Sequence, residues 1–367
     1  MAATPITSRR FASAAELRRQ PVQPPVRVGL VSWNTAGLLD RCLTALPAAL
    51  AGVEAEIVVV DNASSDASAA IAAAHHGVRL VRNPRNAGYA AAMNQALSGT
   101  GAPVLIALNP DTEPPPGSLS ALVGRLHGDA SVGLLSPRLV DGDGRPQHTA
   151  RRFPSLRLGA ADALLPARLR RGRIGRHFLL EFGAGPAAPA DVDWTIGAVH
   201  VIRAAALRGR PPYDERWFMY VEDLELCWWL AQRGWRRRFE ADIVVPHVGN
   251  AAGDQAWGSG YRHRCLDAIY DWYQRDVGSV SARSWAALNA LNAASRAAVG
   301  IAAHRPAEHV ANLVEDIGYH ARVVRRGAPA VGAGPTRPPS AGPEGTGPPP
   351  PADGDPRPVA GQVPERP

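Results

Sequence analysis

The chain contains no lysine; all forty of its basic residues are arginine. A Walker A phosphate loop, which needs lysine, is therefore excluded. The formal charge of +7 reflects a uniform bias of composition and marks no partner. No zinc-ligand spacing, aromatic RNA-binding signature or basic helix with heptads accompanies it, so nucleic acid is not an expected partner. Cysteine is scarce as well. Cys42, Cys227 and Cys265 are odd in number and form no CxxC pair, which argues against a disulfide framework and a structural zinc site and suits a reducing cytoplasm. Long apolar runs are missing. The first residues hold no apolar core of signal-peptide length, and nothing reaches the ~18 uninterrupted apolar residues of a membrane span. The nearest approach, residues 285–303, is broken by Asn289, Asn292 and Arg296 and reads as an amphipathic helix that touches a membrane without crossing it. The expected location is cytoplasmic, with peripheral contact at the inner face of the cell membrane. Finally, no GxGxxG follows the first apolar run, which disfavours a nicotinamide-dependent dehydrogenase.

What the 367 residues do contain is a 46% hydrophobic share, enough for a large core. From Val26 onward, short β-branched runs alternate with Ala/Leu-rich helical spacing, the pattern of a parallel sheet covered by helices. Strands are expected at VRVGLVSW, EIVVV, VRLV, PVLIAL and VGLLS, then at WTIGAVHVIR from Trp194 and in the run ending IVVPH. Leu38, Leu39, Cys42, Leu43, Leu46 and Leu50 recur at helical spacing behind Thr35, placed to cap that helix. Further helices are expected over 66–76, 89–97, 118–127, 223–233 and in the region 262–324. A hairpin is expected at 141–144, loops with short helices over 151–191, and a disordered Pro/Gly-rich tail beyond Arg326.

Ligands of an open parallel sheet bind at the carboxyl ends of its strands. Four successive runs end there in polar clusters: Ser32-Trp33-Asn34, Asp61 through Asp66, Asn83 through Gly88, and Asn109-Pro110-Asp111. Each alone is accountable as turn or capping chemistry, Asp66 as an N-cap for instance. Four at one edge point to a ligand rich in hydroxyl and amide groups. Side-chain carboxylates and amides suit a ribose and the edge of a base, and an acidic residue such as Asp111 can hold a divalent cation that screens a diphosphate. The densest constellation is PPYDERWFMYVEDLELCWWLAQRGW, from Pro211 to Trp235. Glu222 and Asp223 fall in the first turn of its helix, where the helix dipole favours their charged forms. An ionised carboxylate there is able to take a proton from an attacking hydroxyl, although first-turn acids are also common stabilisers. Cys227 shares the inward face with Leu226 and Leu230 and reads as core. His247, at a strand end, is placed to complete a metal site with Asp111.

The ordered set VSWN, VVVDNASSD, NPRNAGYAAAMNQAL, LNPD, WTIGA, YDERWFMYVEDLELCWWLAQRGW and PH resembles the bacterial family 2 glycosyltransferases, and within them the rhamnosyltransferase-like branch. The likeness covers residues 26 to about 250. It implies an α/β fold of GT-A type, with one mostly parallel central sheet flanked by helices, an inverting transfer, and a divalent metal, Mg2+ or Mn2+, under the donor diphosphate. Carried over by position, Ser32, Asn34, Asp61, Asn62, Asn86, Gly88, Asn94 and Asn109 form the nucleotide-sugar side, Asp111 and His247 the metal side, and Trp194 and Gly197 the acceptor side. Asp223 becomes the general base and Glu222 its neighbour. The sequence departs from the family at Glu225, where aspartate is usual, at Pro211-Pro212-Tyr213-Asp214 in place of Gly-Gly-Phe-Asp, and after His247.

The resulting organisation is an N-terminal extension (1–25), a transferase domain (26–250, with a nucleotide-sugar half 26–140 and an acceptor and catalytic half 141–250), a helical region (251–325) and a tail (326–367). The expected partners are a nucleotide-sugar donor and a glycan or polyprenol-linked acceptor, with L-rhamnose from dTDP-rhamnose the leading donor. A UDP-hexose donor, a secondary-metabolite acceptor, or a catalytically silent sugar-nucleotide-binding module are the alternatives.

Overall fold

The computed structural model describes residues 25–165, 185–249 and 261–329. Nearly all of the expected N-terminal extension and tail, and the Arg-rich stretch 168–176, lie outside the described residues. In chain order the elements are β1 (Val26–Ser32), α1 (Ala36–Ala49), β2 (Ala55–Asp61), α2 (Ser68–Ala74), β3 (Val78–Arg82), α3 (Tyr89–Leu97), β4 (Val104–Leu108), α4 (Ser118–Gly128) and β5 (Val132–Val140). There follow β6 (Ala150–Arg151), α5 (Leu156–Leu164), β7 (Ala190–Asp191), β8 (Trp194–Thr195), β9 (Val199–Arg203), α6 (Glu222–Ala231) and β10 (Arg236–Pro246). Three helices complete the described chain: α7 (Tyr261–Asp276), α8 (Ser279–Ala302) and α9 (Ala307–Arg326).

Eight strands form one sheet in the order β3-β2-β1-β4-β9-β5-β10-β7. The strands β3, β2, β1 and β4 run parallel, as do β5 and β10, while β9 lies antiparallel to both β4 and β5. All seven residues of β1 are buried, because helices cover both faces and a strand so placed has no polar side. On one face Leu39, Cys42, Leu43 and Leu46 of α1 join Leu119, Leu122 and Leu126 of α4. The opposite face is covered by Met93 and Leu97 of α3, Leu226 and Leu230 of α6, and Trp272 and Tyr273 of α7. This is the α/β class with the mostly parallel, helix-flanked central sheet expected from the sequence.

Two details of close packing set the geometry of the sheet edge. A Cβ at Gly29 would meet Leu97 Cδ2 at 2.8 Å and Ala96 Cβ at 2.9 Å, so glycine lets α3 settle directly on β1. Arg27, buried on the same face, donates to the carbonyls of Ala96 and Ser98 and to Glu56, satisfying the end of α3 that the close approach seals from water.

Several local expectations change. The run WTIGAVHVIR is broken at residues 196–198: Trp194 and Thr195 pair with β6 in a separate ribbon, and β9 starts only at Val199. The break frees Gly197 for a contact described below. Thr35 occupies the N-cap of α1 without capping it, since its hydroxyl is bonded to Ser32 Oγ. Asp66 takes that role from a distance, accepting Ala36 N–H at 3.0 Å with one oxygen and Ser68 N–H at 2.9 Å with the other. Helix α2 accordingly begins two residues later than expected.

Candidate active site

The parallel register aligns Ser32 with Asp61, and β4 ends one residue before Asn109, so the polar clusters share one edge. Within them the side chains divide into those spent on the protein and those left open. Asn62 is saturated: its Nδ2 donates to Asn86 Oδ1 and the Gly88 carbonyl, and its Oδ1 accepts from Asn83 Nδ2 and Ala87 N–H. Asn34 adopts φ 53°, a left-handed conformation asparagine tolerates, and its Oδ1 accepts from Ser65 N–H and Oγ. Asn94 is buried on α3, donating to the Tyr213 carbonyl and Glu215 and accepting Tyr213 N–H. These residues, with Ser32 bonded to Thr35, clasp loops and elements to one another. Gly88, at φ 89°, lies so near the chain at 218 that a Cβ would stand 2.7 Å from the Phe218 carbonyl, and Tyr89 N–H donates to that same oxygen. Open acceptors remain on Asp61 Oδ1 and Asn109 Oδ1, both buried and without a hydrogen-bond partner.

Beyond β4 the chain pairs with the end of β10. Thr112 bridges antiparallel to His247, Val248 N–H donates to the Asp111 carbonyl, and His247 N–H donates to the Val140 carbonyl. This zipper brings His247 Nε2 to 3.4 Å from Asp111 Oδ1. Both atoms are buried and have no hydrogen-bond partner. Gln147 dictates which ring nitrogen is bare. Its Nε2 donates to the His247 carbonyl at 2.8 Å, so its Oε1, 2.7 Å from Nδ1, must be the acceptor of an Nδ1 proton. A lone pair on Nε2 then faces a carboxylate oxygen, an arrangement that calls for a cation or a proton between them. Among the described residues no three His, Cys, Asp or Glu side chains gather closely enough to hold a metal by themselves.

On the acceptor side, Asp223 Oδ2 accepts Gly197 N–H at 3.0 Å and its Oδ1 accepts Leu224 N–H at 2.7 Å. Glu222 is sealed beneath it, with Oε2 accepting Val221 N–H. The helix N-terminus alone would favour ionised carboxylates, as expected from sequence, but burial outweighs it. Desolvation, reinforced by Asp223, pushes Glu222 up to about 8; burial also raises Asp223, opposed by the N–H groups of Leu224 and Gly197 and by the charge of Arg151. Tyr220, two residues before Glu222, has φ 88°, an outlier for a bulky residue and a mark of strain beside the carboxylates.

The sheet edge thus carries open acceptors, a buried Asp–His pair and a carboxylate pair of which Glu222 is buried and Asp223 partly so. Residues 28–185 match the model of glycosyl transferase family 2. That match spans a little under half of the chain. An N-acetylglucosaminyl-diphospho-decaprenol L-rhamnosyltransferase of Mycobacterium tuberculosis is 29% identical over 229 residues, which cover 59% of this chain and 74% of the relative. A pre-mycofactocin glycosyltransferase of the same organism is 28% identical over 233 residues, 62% of this chain and 43% of that protein. Among solved structures, a mannosyltransferase of Pyrobaculum calidifontis in complex with GDP-Man and Mn2+ is 19% identical, with a TM-score of 0.49 over 87% of this chain and 91% of its own.

Four residues stand at the site without having been singled out from sequence. Tyr89, whose hydroxyl donates to the Gly197 carbonyl at 3.3 Å, is raised well above the usual phenol range by burial and by Glu222, Asp223 and Asp111, so it stands between the two halves of the site. Gln147 orients His247. Arg151 lies over the Trp194 ring, whose own N–H is spent on the Arg152 carbonyl. Cys265 of α7 feels Asp223, Arg151 and Glu222, placing that helix beside the carboxylates. A tyrosine that opens a helix and a lone glutamine in a hairpin give no signal of this in sequence, because the groups they bond at the site, Gly197 and His247, are a hundred or more residues away.

Proposed function

We propose that this protein is a family 2 glycosyltransferase that moves L-rhamnose from dTDP-rhamnose to a hydroxyl of a polyprenol-linked glycan acceptor, with inversion, in cell-envelope polysaccharide synthesis. The observation that carries the catalytic part is Asp223, held by Gly197 N–H at the same sheet edge as the bare Asp111–His247 pair. The donor sugar and the acceptor rest on the rhamnosyltransferase relative, whose name specifies a diphospho-decaprenol carrier.

Asp223 acts as the base. Burial and the neighbouring Asp223 push Glu222 up to about 8, which favours placing the negative charge of the pair on Asp223, where two backbone N–H groups receive it. Its oxygen takes the proton of the acceptor hydroxyl as the acceptor oxygen bonds to the anomeric carbon. The bond from that carbon to the diphosphate oxygen breaks on the opposite face, and its electron pair leaves with the nucleoside diphosphate. Asp61 Oδ1 and Asn109 Oδ1, acceptors without a protein donor, meet ribose hydroxyls or a base N–H. Asp111 Oδ1 and His247 Nε2 fit a divalent cation, Mg2+ or Mn2+, with the remaining positions left to substrate oxygens. When bound there, the ion would offset charge building on the departing diphosphate.

No helix among the described residues is long and apolar enough to cross a membrane. Peripheral contact is supported by Leu164 on α5 and Val299 and Ile301 on α8, which are 69%, 67% and 63% exposed; binding to anionic vesicles that is lost on changing Val299 and Ile301 to serine would bear it out.

The deciding experiment is a thermal-shift series with dTDP-rhamnose, UDP-glucose, UDP-galactose, UDP-N-acetylglucosamine and GDP-mannose, with and without Mg2+ or Mn2+. Metal-dependent stabilisation by dTDP-rhamnose alone, lost in Asp111→Ala, is expected. Stabilisation by another donor replaces the sugar assignment, and stabilisation by none overturns the transferase reading of the site.

A further inference from the structure

Arg151 pairs in register with Trp194 across the β6–β8 ribbon. Trp194 stands three residues before Gly197, whose N–H holds Asp223. The Arg151 guanidinium carbon sits 5.3 Å from the centroid of the Trp194 ring, and Nε donates to the His148 carbonyl at 3.3 Å. Those two contacts fix the plane of the head group while leaving both terminal nitrogens without a protein acceptor among the described residues. Its neighbours differ. Arg152 pairs with Asp193, Arg237 donates to the carbonyls of Asp193 and Trp235, and Arg236 is bonded to Asp191 and Asp129. Arg151 forms no ion pair with any described residue, yet its charge reaches Asp223 on α6 and Cys265 on α7, so it faces the cleft.

A guanidinium stacked on an indole and left with two free N–H edges beside a reacting centre is a preorganised fork for an oxyanion. Neither a transferred sugar nor a neutral glycan hydroxyl carries a charge for it. We infer that Arg151 is an oxyanion-binding residue on the acceptor side of the cleft, taking phosphate oxygens of a substrate. On the proposed function, on which the choice of substrates rests, two sources supply that chemistry: the donor's own diphosphate, or a diphosphate that joins the acceptor sugar to its lipid.

The test uses the full chain and the variants Arg151→Lys and Arg151→Met with two acceptors bearing the same sugar, one linked through a diphosphate to a short prenyl chain and one a neutral octyl glycoside. Arg151→Met removes a charge-assisted hydrogen bond and is expected to raise one KM by roughly tenfold to a hundredfold with kcat little changed; Arg151→Lys is expected to recover part of the difference. If the KM that rises is that of the diphosphate-linked acceptor, with the neutral glycoside unaffected, the anion belongs to the acceptor; if it is the donor KM with either acceptor, the anion belongs to the donor. An equal fall in kcat on both acceptors with every KM unmoved overturns the inference and leaves Arg151 acting only through Asp223. Phenylglyoxal labelling of the unmutated protein, mapped by mass spectrometry, needs no variant and no turnover: inorganic diphosphate is expected to slow modification at Arg151, and absence of protection counts against the site. Because that readout survives even if no donor is turned over, failure of the transferase reading and failure of the Arg151 site remain separable.

Discussion

Glu222 and Asp223 are adjacent in the chain and unequal in surroundings. Asp223 opens to the cleft and is bonded by two backbone N–H groups, whereas Glu222 is only 6% exposed and pushed up to about 8. Replacing Asp223 by Asn is expected to cut kcat by about a hundredfold or more while leaving the donor-induced thermal shift intact, the loss typical of a missing general base. Glu222→Gln mimics the protonated form; the wild-type pH–rate profile is expected to show an inflection near pH 8 that this variant lacks. The same residue ties stability to pH. A carboxyl whose folded value lies above its ordinary 4.5 contributes stability fully present below that value and lost as pH rises through about 8. The urea midpoint of the wild type should therefore fall across that window relative to Glu222→Gln. From sequence, the two residue types and their place in a first helical turn were readable. Their protonation was not, because burial depends on Tyr89 and α7, which arrive from other parts of the chain. His247 and Asp111 were each readable as polar residues at strand ends, but the glutamine that decides the His247 tautomer was not. Gln147→Leu is expected to weaken Mn2+ binding by roughly tenfold to a hundredfold, measured by calorimetric titration, while Asn109→Ala leaves the tautomer untouched.

At the scale of elements, the sheet edge is held together by amides that resemble ligand contacts. Sequence shows that Asn34, Asn62 and Asn94 own donors and acceptors; it does not show that protein groups already consume them. Asn62 alone joins the loop after β2 to that after β3 through four hydrogen bonds. Asn62→Ala should cost about 2–4 kcal/mol in urea unfolding, since the partners it leaves are partly buried, and should weaken the donor response through disorder of the 83–88 loop. The strands and helices up to β5 followed the apolar spacing closely, since period and propensity are local properties. The break between β8 and β9 was hidden for the opposite reason: Trp194 to Arg203 is mostly apolar and rich in β-branched residues, and the partner strands, β6 for one part and β4 and β5 for the other, divide it.

Across the whole molecule, the helices after β10 complete the site's surroundings. Gly159 of α5 sits so close to α8 that a Cβ would meet Trp285 Cδ1 at 2.9 Å, and Asn292 donates to Asp162 at 2.5 Å, while α7 packs Trp272 and Tyr273 over the face that carries α6. Helical periodicity disclosed these elements but not their seat over the carboxylates, which no local pattern encodes. All three thiols are pushed up by burial, Cys42 and Cys227 to about 12 and Cys265 to about 11. Iodoacetamide at neutral pH is expected to leave the native protein essentially unmodified over minutes and to label all three cysteines in urea, a result that mass spectrometry counts directly. The sheet order also bears on how the chain is made. The strand between β4 and β5 is β9, which leaves the ribosome after both. At about 5–20 residues per second, several seconds of synthesis separate the emergence of β5 from that of its only link to β4. During that interval β4 is the bare, apolar edge of a four-stranded sheet and β5 has neither of its neighbours, since β10 is made later still; such edges are the kind of surface that chaperones shield and that pairs with a neighbouring nascent copy when they do not.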